Sequence, residues 1–243
     1  MTKLVYFDKM KYVLKADNVV KDFRDFRLDN IHINIENGEL YGFLGPNGSG
    51  KTTLIKILTG QIKPDEGSIK IVGINPVKNP LDVKKKIGII PEQENPPSFM
   101  TVQEYLEFIA NIRGIKNPEI DIEEWLEFFE FKHQRDYLIK DLSRGTKQKL
   151  LAIQAFIHKP KLVFIDEPLI NLDPAMQKKF KDFLVDYVGQ NNTVFLSTHV
   201  LSIAEEIATR VAIVKKGRII TDKKIGDIKT NLEKYFIEET QNG

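Results

Sequence analysis

The chain has 243 residues, which is enough for one domain or for one domain that carries insertions. Its 36 Lys and Arg residues nearly balance its 34 Asp and Glu residues, so nucleic acid is not an expected partner. It contains no cysteine, which excludes disulfides, thiolate metal sites and cysteine nucleophiles.

The first quarter of the chain reads as strands followed by a loop and a helix. β-Branched residues cluster at 12–20 and 31–35, which predicts two strands of an antiparallel sheet. The short apolar run Leu40–Leu44 predicts a buried strand that leads into a glycine-rich loop. Apolar residues at helical spacing between 54 and 58 then predict a helix, which Gly60 is placed to end.

The rest of the chain alternates between strand and helix patterns. Strands are predicted at 69–72, 87–90, 162–165, 194–197 and 211–214, a helical pattern at 102–131, and helices at 146–157, 176–188 and 203–208. This alternation is typical of a parallel sheet, and the helical stretch from about 100 to 158 interrupts it like an insertion. We therefore expect an α/β fold: a parallel-sheet core, an N-terminal antiparallel β subdomain and an inserted α-helical subdomain.

The glycine-rich loop Gly45–Thr52 reads GPNGSGKT and fits the phosphate-binding pattern G-x-x-x-x-G-K-[ST]. Its glycines let backbone N–H groups approach phosphate oxygens, and the following helix directs its positive end to the same place. Lys51 would supply a charge to the outer phosphates, and Thr52 would offer a hydroxyl to magnesium. The loop therefore predicts binding of ATP together with Mg²⁺.

Two adjacent carboxylates, Asp166 and Glu167, follow the apolar strand at 162–165. Such a pair at the end of a buried strand is unfavourable unless a cation or a proton is shared. Beside a phosphate loop, Asp166 would hold magnesium and Glu167 would orient the attacking water or act as the general base.

Three further motifs narrow the class of nucleotide-binding protein. Leu142–Gln148 opens a helix, Asn171–Asp173 follows the carboxylates, and Ser197-Thr198-His199 ends the next strand. This set, in this order, resembles the ATP-binding cassette (ABC) family of ATPases over about residues 11–222. The resemblance implies a RecA-like core and an ATPase activity.

The resemblance also implies roles for individual residues. Glu167, His199 and Lys51 would be catalytic, with His199 contacting the γ-phosphate. Ser143 and Gly145 would bind the γ-phosphate of ATP that is held by a second subunit. The remaining implied nucleotide contacts are Phe23, Asn47, Gly48, Ser49, Gly50, Thr52, Thr53 and Asp173, and the implied metal contacts are Thr52, Asp166, Glu92 and Gln93.

This sequence departs from the family pattern at two places and offers two candidates for a third family feature. The signature reads LSRGT where the family has LSGGQ, so Ser143 and Gly145 are the residues that carry over. The family's magnesium-contacting glutamine corresponds to Glu92 by position and to Gln93 by residue type. The aromatic residue expected to stack on adenine is Phe23, with Phe26 as the alternative and a role in the core as the competing interpretation for either.

The domain boundaries follow from the same pattern. Residues of about 11–91 and 159–225 would form the β subdomain and the ATPase core, 92–158 the helical signature subdomain, and 226–243 a helical tail. All of these belong to one nucleotide-binding domain spanning 1–243.

The kind of cassette is indicated by short motifs around residues 91–97 and 143–149, which resemble the ATPase subunits of ABC-2-type exporters. That resemblance implies a separate transmembrane permease and a second ATPase copy, in a homodimer or a heterodimer with a related cassette. Since no apolar run approaches the about 20 residues of a spanning helix, we expect a cytoplasmic protein held at the inner face of the membrane by the permease. The alternatives are a non-transport ABC ATPase acting in assembly or regulation and, less in keeping with the motifs, a P-loop kinase or GTPase.

Overall fold

A computed structural model describes residues 11–93, 95–167 and 171–242. It contains two sheets and the helices that cover them. The strands are β1 Tyr12–Asp22, β2 Arg27–Glu36, β3 Leu40–Leu44, β4 Glu66–Ile71, β5 Ile87–Ile90, β6 Leu162–Asp166, β7 Thr193–Thr198, β8 Arg210–Lys215 and β9 Arg218–Lys224. The helices are α1 Lys51–Leu58, α2 Pro80–Lys84, α3 Val102–Arg113, α4 Glu119–Phe128, α5 Arg144–Phe156, α6 Pro174–Gly189, α7 Leu201–Ile207 and α8 Leu232–Asn242.

The smaller sheet has three strands in the order β2-β1-β4, and both pairings are antiparallel. In β2, residues 31, 33 and 35 are buried and alternate with more exposed residues, as expected for a sheet with one face on the core. The predicted antiparallel β subdomain is therefore confirmed.

The larger sheet has six strands in the order β5-β6-β7-β3-β8-β9. The first five are parallel, and β9 is added antiparallel to β8 at the edge. The central strands β3, β6 and β7 are buried along their whole length, which is typical of a parallel sheet covered on both faces. Since β3, β6 and β7 are neighbours, the residues that follow them meet at one edge.

The two faces of the larger sheet pack into separate hydrophobic clusters. Phe43, Phe164 and Phe195 point into the cluster formed with α1 and the smaller sheet. Val163 and Leu196 point into the cluster formed with the helical part of the chain. The sheet thus lies between the antiparallel subdomain and a layer of helices, and the predicted fold class is confirmed.

The helical pattern at 102–131 predicts one continuous helix, and this prediction is wrong. The structure has two helices there, α3 and α4. Helix α3 starts with a capping box between Thr101 and Glu104 and ends at Gly114, whose φ of 71° is left-handed. Helix α4 begins after Pro118. A left-handed glycine and a nearby proline both favour a helix end, so the break is encoded locally.

Helix α2 and the edge strand β9 were not predicted, whereas α8 lies in the predicted C-terminal tail. Strand β9 contains five polar residues among seven and is only partly buried, so its pattern is weak. Within the described ranges, no helix combines the length and the apolar character needed to cross a bilayer.

Candidate functional site

The phosphate loop joins the buried strand β3 to the start of α1. Gly48 and Gly50 have φ values of 76° and 105°, which are left-handed conformations that glycine adopts without strain. A Cβ on Gly50 would lie 2.6 Å from the Phe26 ring, so the loop also packs too closely there for a side chain. The first N–H groups of α1 therefore face the same space as the loop.

Lys51 is held against the loop by its own backbone. Its Nζ donates to the carbonyl oxygen of Gly45 at 2.8 Å and to that of Pro46 at 3.3 Å. The same atom lies 3.9 Å from Oε1 of Glu167. Burial lowers the pKa of Lys51, and the charges of Glu167 and Asp166 oppose that shift.

Asp166 is the last residue of β6 and is paired in register with Ser197 of β7. The Ser197 hydroxyl donates to the Asp166 carboxylate. Burial raises the pKa of Asp166, and the hydroxyls of Ser197 and Thr52 oppose that shift. A buried carboxylate of this kind favours a nearby cation.

Glu167 turns sharply out of the strand. Its φ of 52° is unusual for a residue with a side chain, and its N–H donates to the carbonyl oxygen of Ser197 at 3.0 Å. Its Oε2 accepts a 3.0 Å hydrogen bond from the Thr198 hydroxyl. Its Oε1 accepts from the N–H of His199 at 2.9 Å and lies 2.7 Å from Nδ1 of the same residue.

Lys51, Asp166 and Glu167 line a cleft of about 570 Å³, whereas His199 contacts Glu167 but is not among the described residues that line it. Of the residues predicted to contact nucleotide or metal, the cleft is lined by Phe23, Asn47, Gly48, Gly50, Lys51, Thr52, Thr53, Glu92, Asp166 and Glu167. Ser49 lies within the loop, and its buried Oγ has no hydrogen-bond partner in the described part of the chain. The structure thus brings together most of the predicted site.

Glu92 and Gln93 differ in their approach to the site. Oε2 of Glu92 is 3.5 Å from the Thr52 hydroxyl, and its side chain lines the main cleft. Gln93 lines a smaller adjoining cavity together with Thr52 and Asp166. Of the two residues, Glu92 therefore has the more direct contact with the phosphate loop.

The two aromatic candidates also differ. Phe23 is 40% exposed at the mouth of the cleft. Phe26 is partly buried, packs against the smaller sheet's hydrophobic cluster and covers Gly50. An exposed ring at a cleft is free to stack on a base, whereas a ring that covers the loop has a packing role.

Ser143, Gly145 and Asp173 are not among the described residues that line the cleft. Ser143 caps α5 by accepting from the N–H of Thr146, and Asp173 caps α6 by accepting from the N–H of Met176. A Cβ on Gly145 would lie 2.6 Å from the carbonyl oxygen of Asn171, so the start of α5 packs closely on the segment before α6.

Three residues near the site were assigned no role from the sequence. Ser197 and Thr198 bond to the two carboxylates, and Asp25 lines the cleft beside the two phenylalanines. Ser197 and Thr198 belong to the motif that ends in His199, and their position at the end of a strand could have indicated a role in the site. Asp25 carries no comparable signal. Pro168, which follows the two carboxylates, lies outside the described residues.

Fold and cleft together define a P-loop nucleotide-binding ATPase. The sequence profile of the ABC transporter family matches residues 28–170. The bacitracin transport ATP-binding protein BcrA of Bacillus licheniformis is 34% identical over 229 residues, which are 93% of this chain and 74% of that protein.

Two solved structures are similar over most of the chain. One is the ATP-binding subunit of an ABC transporter, with a TM-score of 0.89, 25% identity and coverage of 94% of this chain and 99% of that one. The other is a dimeric ATP-binding cassette in a post-hydrolysis state with ADP and Pi, with a TM-score of 0.79, 25% identity and coverage of 87% and 98%.

The chain belongs to the ABC transporter family, as an ATP-binding subunit and an ATPase. The predicted family, the ATPase activity and the resemblance to ABC-2-type exporter subunits are confirmed by these comparisons.

Proposed function

We propose that this chain is the ATP-hydrolysing subunit of an exporter, and that two ATPase copies close around ATP to drive a separate permease. One observation carries the proposal. Lys51, Asp166 and Glu167 line one cleft and His199 is bonded to Glu167, whereas Ser143 lies at a helix start outside that cleft. A second copy would supply the missing part.

ATP would bind across the phosphate loop with its adenine against Phe23. The N–H groups of residues 47–53 would bind phosphate oxygens, and the Ser49 hydroxyl is a buried polar group available for the same purpose. Lys51 would exchange its bonds to the Gly45 and Pro46 carbonyls for the outer phosphates, since a phosphate is the stronger acceptor for an ammonium group.

The residues beside the loop fit Mg²⁺, which prefers oxygen ligands and is commonly held by one or two carboxylates together with substrate phosphates. Asp166 and Thr52 would hold the ion, with Glu92 next to Thr52. When bound, the ion would neutralise charge on the phosphate oxygens.

Glu167 would orient the attacking water and accept its proton. An ionised carboxylate can only accept hydrogen bonds, so Nδ1 of His199 donates to Oε1. The other ring nitrogen of His199, Nε2, would then be the atom that contacts the γ-phosphate.

The part of the ATP site that a second copy would supply lies at the starts of two helices, at Ser143 and Asp173. The Ser143 hydroxyl and the N–H of Gly145 lie at the beginning of α5, which favours an anion. The dimeric relative in its ADP and Pi state supports a role for two copies in this family. In this chain, Ser143 and Gly145 of one copy would close over the γ-phosphate held by Lys51 of the other.

The permease would contact the helical part of the chain near residues 93–113, within the subdomain that we assign to 92–158. The core would then comprise 11–91 and 159–225, and the tail 226–243. Closure of the dimer would bring the permease-contacting surfaces of the two copies together, and ATP hydrolysis would let them separate. This contact would hold the protein at the inner face of the cell membrane.

The proposal is tested by purifying the tagged E167Q variant with ATP and Mg²⁺ from detergent-solubilised membranes of its own host. We expect a polytopic membrane protein to co-purify in fixed ratio, and the wild-type complex to hydrolyse ATP in vesicles. Recovery of full ATPase activity from the membrane-free fraction, with no polytopic membrane protein bound to E167Q, would favour a non-transport ATPase.

A further inference from the structure

The catalytic carboxylate and a threonine on the neighbouring strand form a pair that has a specific geometry. Thr198 ends β7, is 1% exposed, and pairs in register with Leu44, the residue before the phosphate loop. Its hydroxyl lies 3.0 Å from Oε2 of Glu167. Thr198 therefore sits between the loop that would hold ATP and the residue that would activate water.

The direction of this hydrogen bond is fixed by a second contact. The Thr198 oxygen also accepts a 3.0 Å hydrogen bond from the N–H of Val200. A hydroxyl has a single proton, and a carboxylate accepts only. The proton of Thr198 must therefore point at Oε2 of Glu167.

This bond makes the two carboxylate oxygens of Glu167 inequivalent. Oε2 accepts from Thr198 of β7, whereas Oε1 lies 3.9 Å from Nζ of Lys51, 2.7 Å from Nδ1 of His199, and accepts from the N–H of His199 at 2.9 Å. Oε1 is thus the oxygen that faces Lys51 of the phosphate loop. Rotation of the carboxylate would break the bond to Thr198 together with the bond from the His199 N–H, so the Thr198 hydroxyl and this N–H jointly hold the orientation.

We propose that Thr198 is a positioning residue for hydrolysis, whose hydroxyl fixes the Glu167 carboxylate so that Oε1 is presented to the attacking water. The inference rests on the proposed role of Glu167 as the base. Ser197 makes the equivalent bond to Asp166, so two adjacent hydroxyls at the end of β7 contact the carboxylate that ends β6 and the one that follows it.

The test compares steady-state ATPase kinetics of T198V, which keeps the shape but loses the hydroxyl, with T198S, which keeps the hydroxyl. Misplacing a catalytic group by about 1 Å costs up to about 100-fold in rate. We expect T198V to lower kcat by about 10- to 100-fold with KM within about twofold. T198S should recover most of the lost kcat.

Thr193 provides the matched control. It lies on the same strand, is fully buried, and its hydroxyl accepts from the N–H of Gly38 and donates to the carbonyl oxygen of Glu36, away from the cleft. T193V should therefore keep the wild-type kcat at a temperature where it remains folded. If T198V does not fold, T198A compared with T198S makes the same test.

The outcomes distinguish a failure of the role of Thr198 from a failure of the proposed role of Glu167. A T198V variant with wild-type kcat, or a T198S variant as slow as T198V, overturns the positioning role. E167Q is assayed alongside. If E167Q hydrolyses ATP normally, the proposed role of Glu167 fails; if it is inactive while T198V is fully active, the role of Thr198 alone fails.

Discussion

The ammonium group of Lys51 lies 3.9 Å from Oε1 of Glu167, and both side chains are about 7% exposed. A cation from the phosphate loop and the carboxylate that follows β6 thus compensate each other's charge in a buried cleft. When ATP binds, the Lys51 ammonium would contact its phosphates instead of Glu167. Glu167 would remain oriented by its hydrogen bonds to residues at the end of β7. The site is therefore organised before nucleotide binds.

Replacement of Lys51 by Met should weaken ATP binding. A hydrogen bond to a charged group contributes about 1.5–3 kcal/mol, which corresponds to roughly 10- to 100-fold in affinity. Titration with a fluorescent ATP analogue measures this change. Lys63→Met removes an exposed lysine beyond α1 and should bind like the wild type; equal affinities for all three proteins would contradict the assignment.

Asp166→Asn should raise the melting temperature of the protein without nucleotide or divalent cation at pH 8. Burial raises the pKa of Asp166, so the folded state becomes less stable as pH rises through that pKa and the carboxylate ionises. Asn carries no charge and avoids this loss. Calorimetry measures this increase; each 1 kcal/mol gained corresponds to about 2–4 °C for a domain of this size.

The same variant should lose that advantage in acid. As pH falls toward the ordinary aspartate pKa of 3.8, the wild-type carboxylate is protonated and the two proteins should converge in stability. The exposed Asp82→Asn change on α2 serves as the control and should have no such pH-dependent effect. A lower melting temperature for Asp166→Asn at pH 8 would argue against a destabilising buried charge.

Phe23→Ala and Phe26→Ala should have opposite profiles. Loss of the exposed Phe23 ring should lower ATP affinity by about 10- to 100-fold, the contribution of an aromatic ring stacked on a base. It should change the melting temperature little. Phe26→Ala should instead destabilise the protein, by up to about 3 kcal/mol, because Phe26 packs against the hydrophobic cluster of the smaller sheet and covers Gly50.

A nucleotide titration measures the ATP affinity of each variant, and a thermal melt measures its stability. The interpretation of Phe23 as the stacking residue fails if Phe23→Ala binds ATP normally while a folded Phe26→Ala variant does not.

Glu92→Ala should alter the magnesium dependence of hydrolysis more than Gln93→Ala does. Glu92 contacts Thr52, whereas Gln93 lines the adjoining cavity. Loss of the Glu92 carboxylate should raise the half-saturating free Mg²⁺ concentration several-fold, on the order of 1 kcal/mol or less for an exposed carboxylate. Gln93→Ala should shift it less, and the reverse order would assign the role to Gln93.

The sequence was sufficient to predict the phosphate loop and the carboxylate pair, because each depends on a strand followed directly by functional residues. It could not predict which oxygen of Glu167 faces the loop. That orientation depends on the parallel register of β6 and β7, which are separated by the whole of α6.

The choice between Phe23 and Phe26 could not be made from the sequence for a similar reason. Both follow β1 within a few residues, and their exposure is decided by the turn into β2 and by contact with Gly50. The break between α3 and α4 could have been predicted, since Gly114 and Pro118 mark it locally. The edge strand β9 could not, because half-exposed polar residues have no clear period.

Lys51 and Glu167 would form half of a site that Ser143 of a second copy completes. Light scattering on gel-filtered E167Q in saturating Mg-ATP tests this composite site, with the E167Q/S143R double variant as the matched control. We predict twice the mass of a single chain for E167Q with ATP, and the mass of one chain without ATP and for the double variant. An E167Q protein that binds ATP and stays monomeric, or a double variant that dimerises equally well, would overturn the composite site.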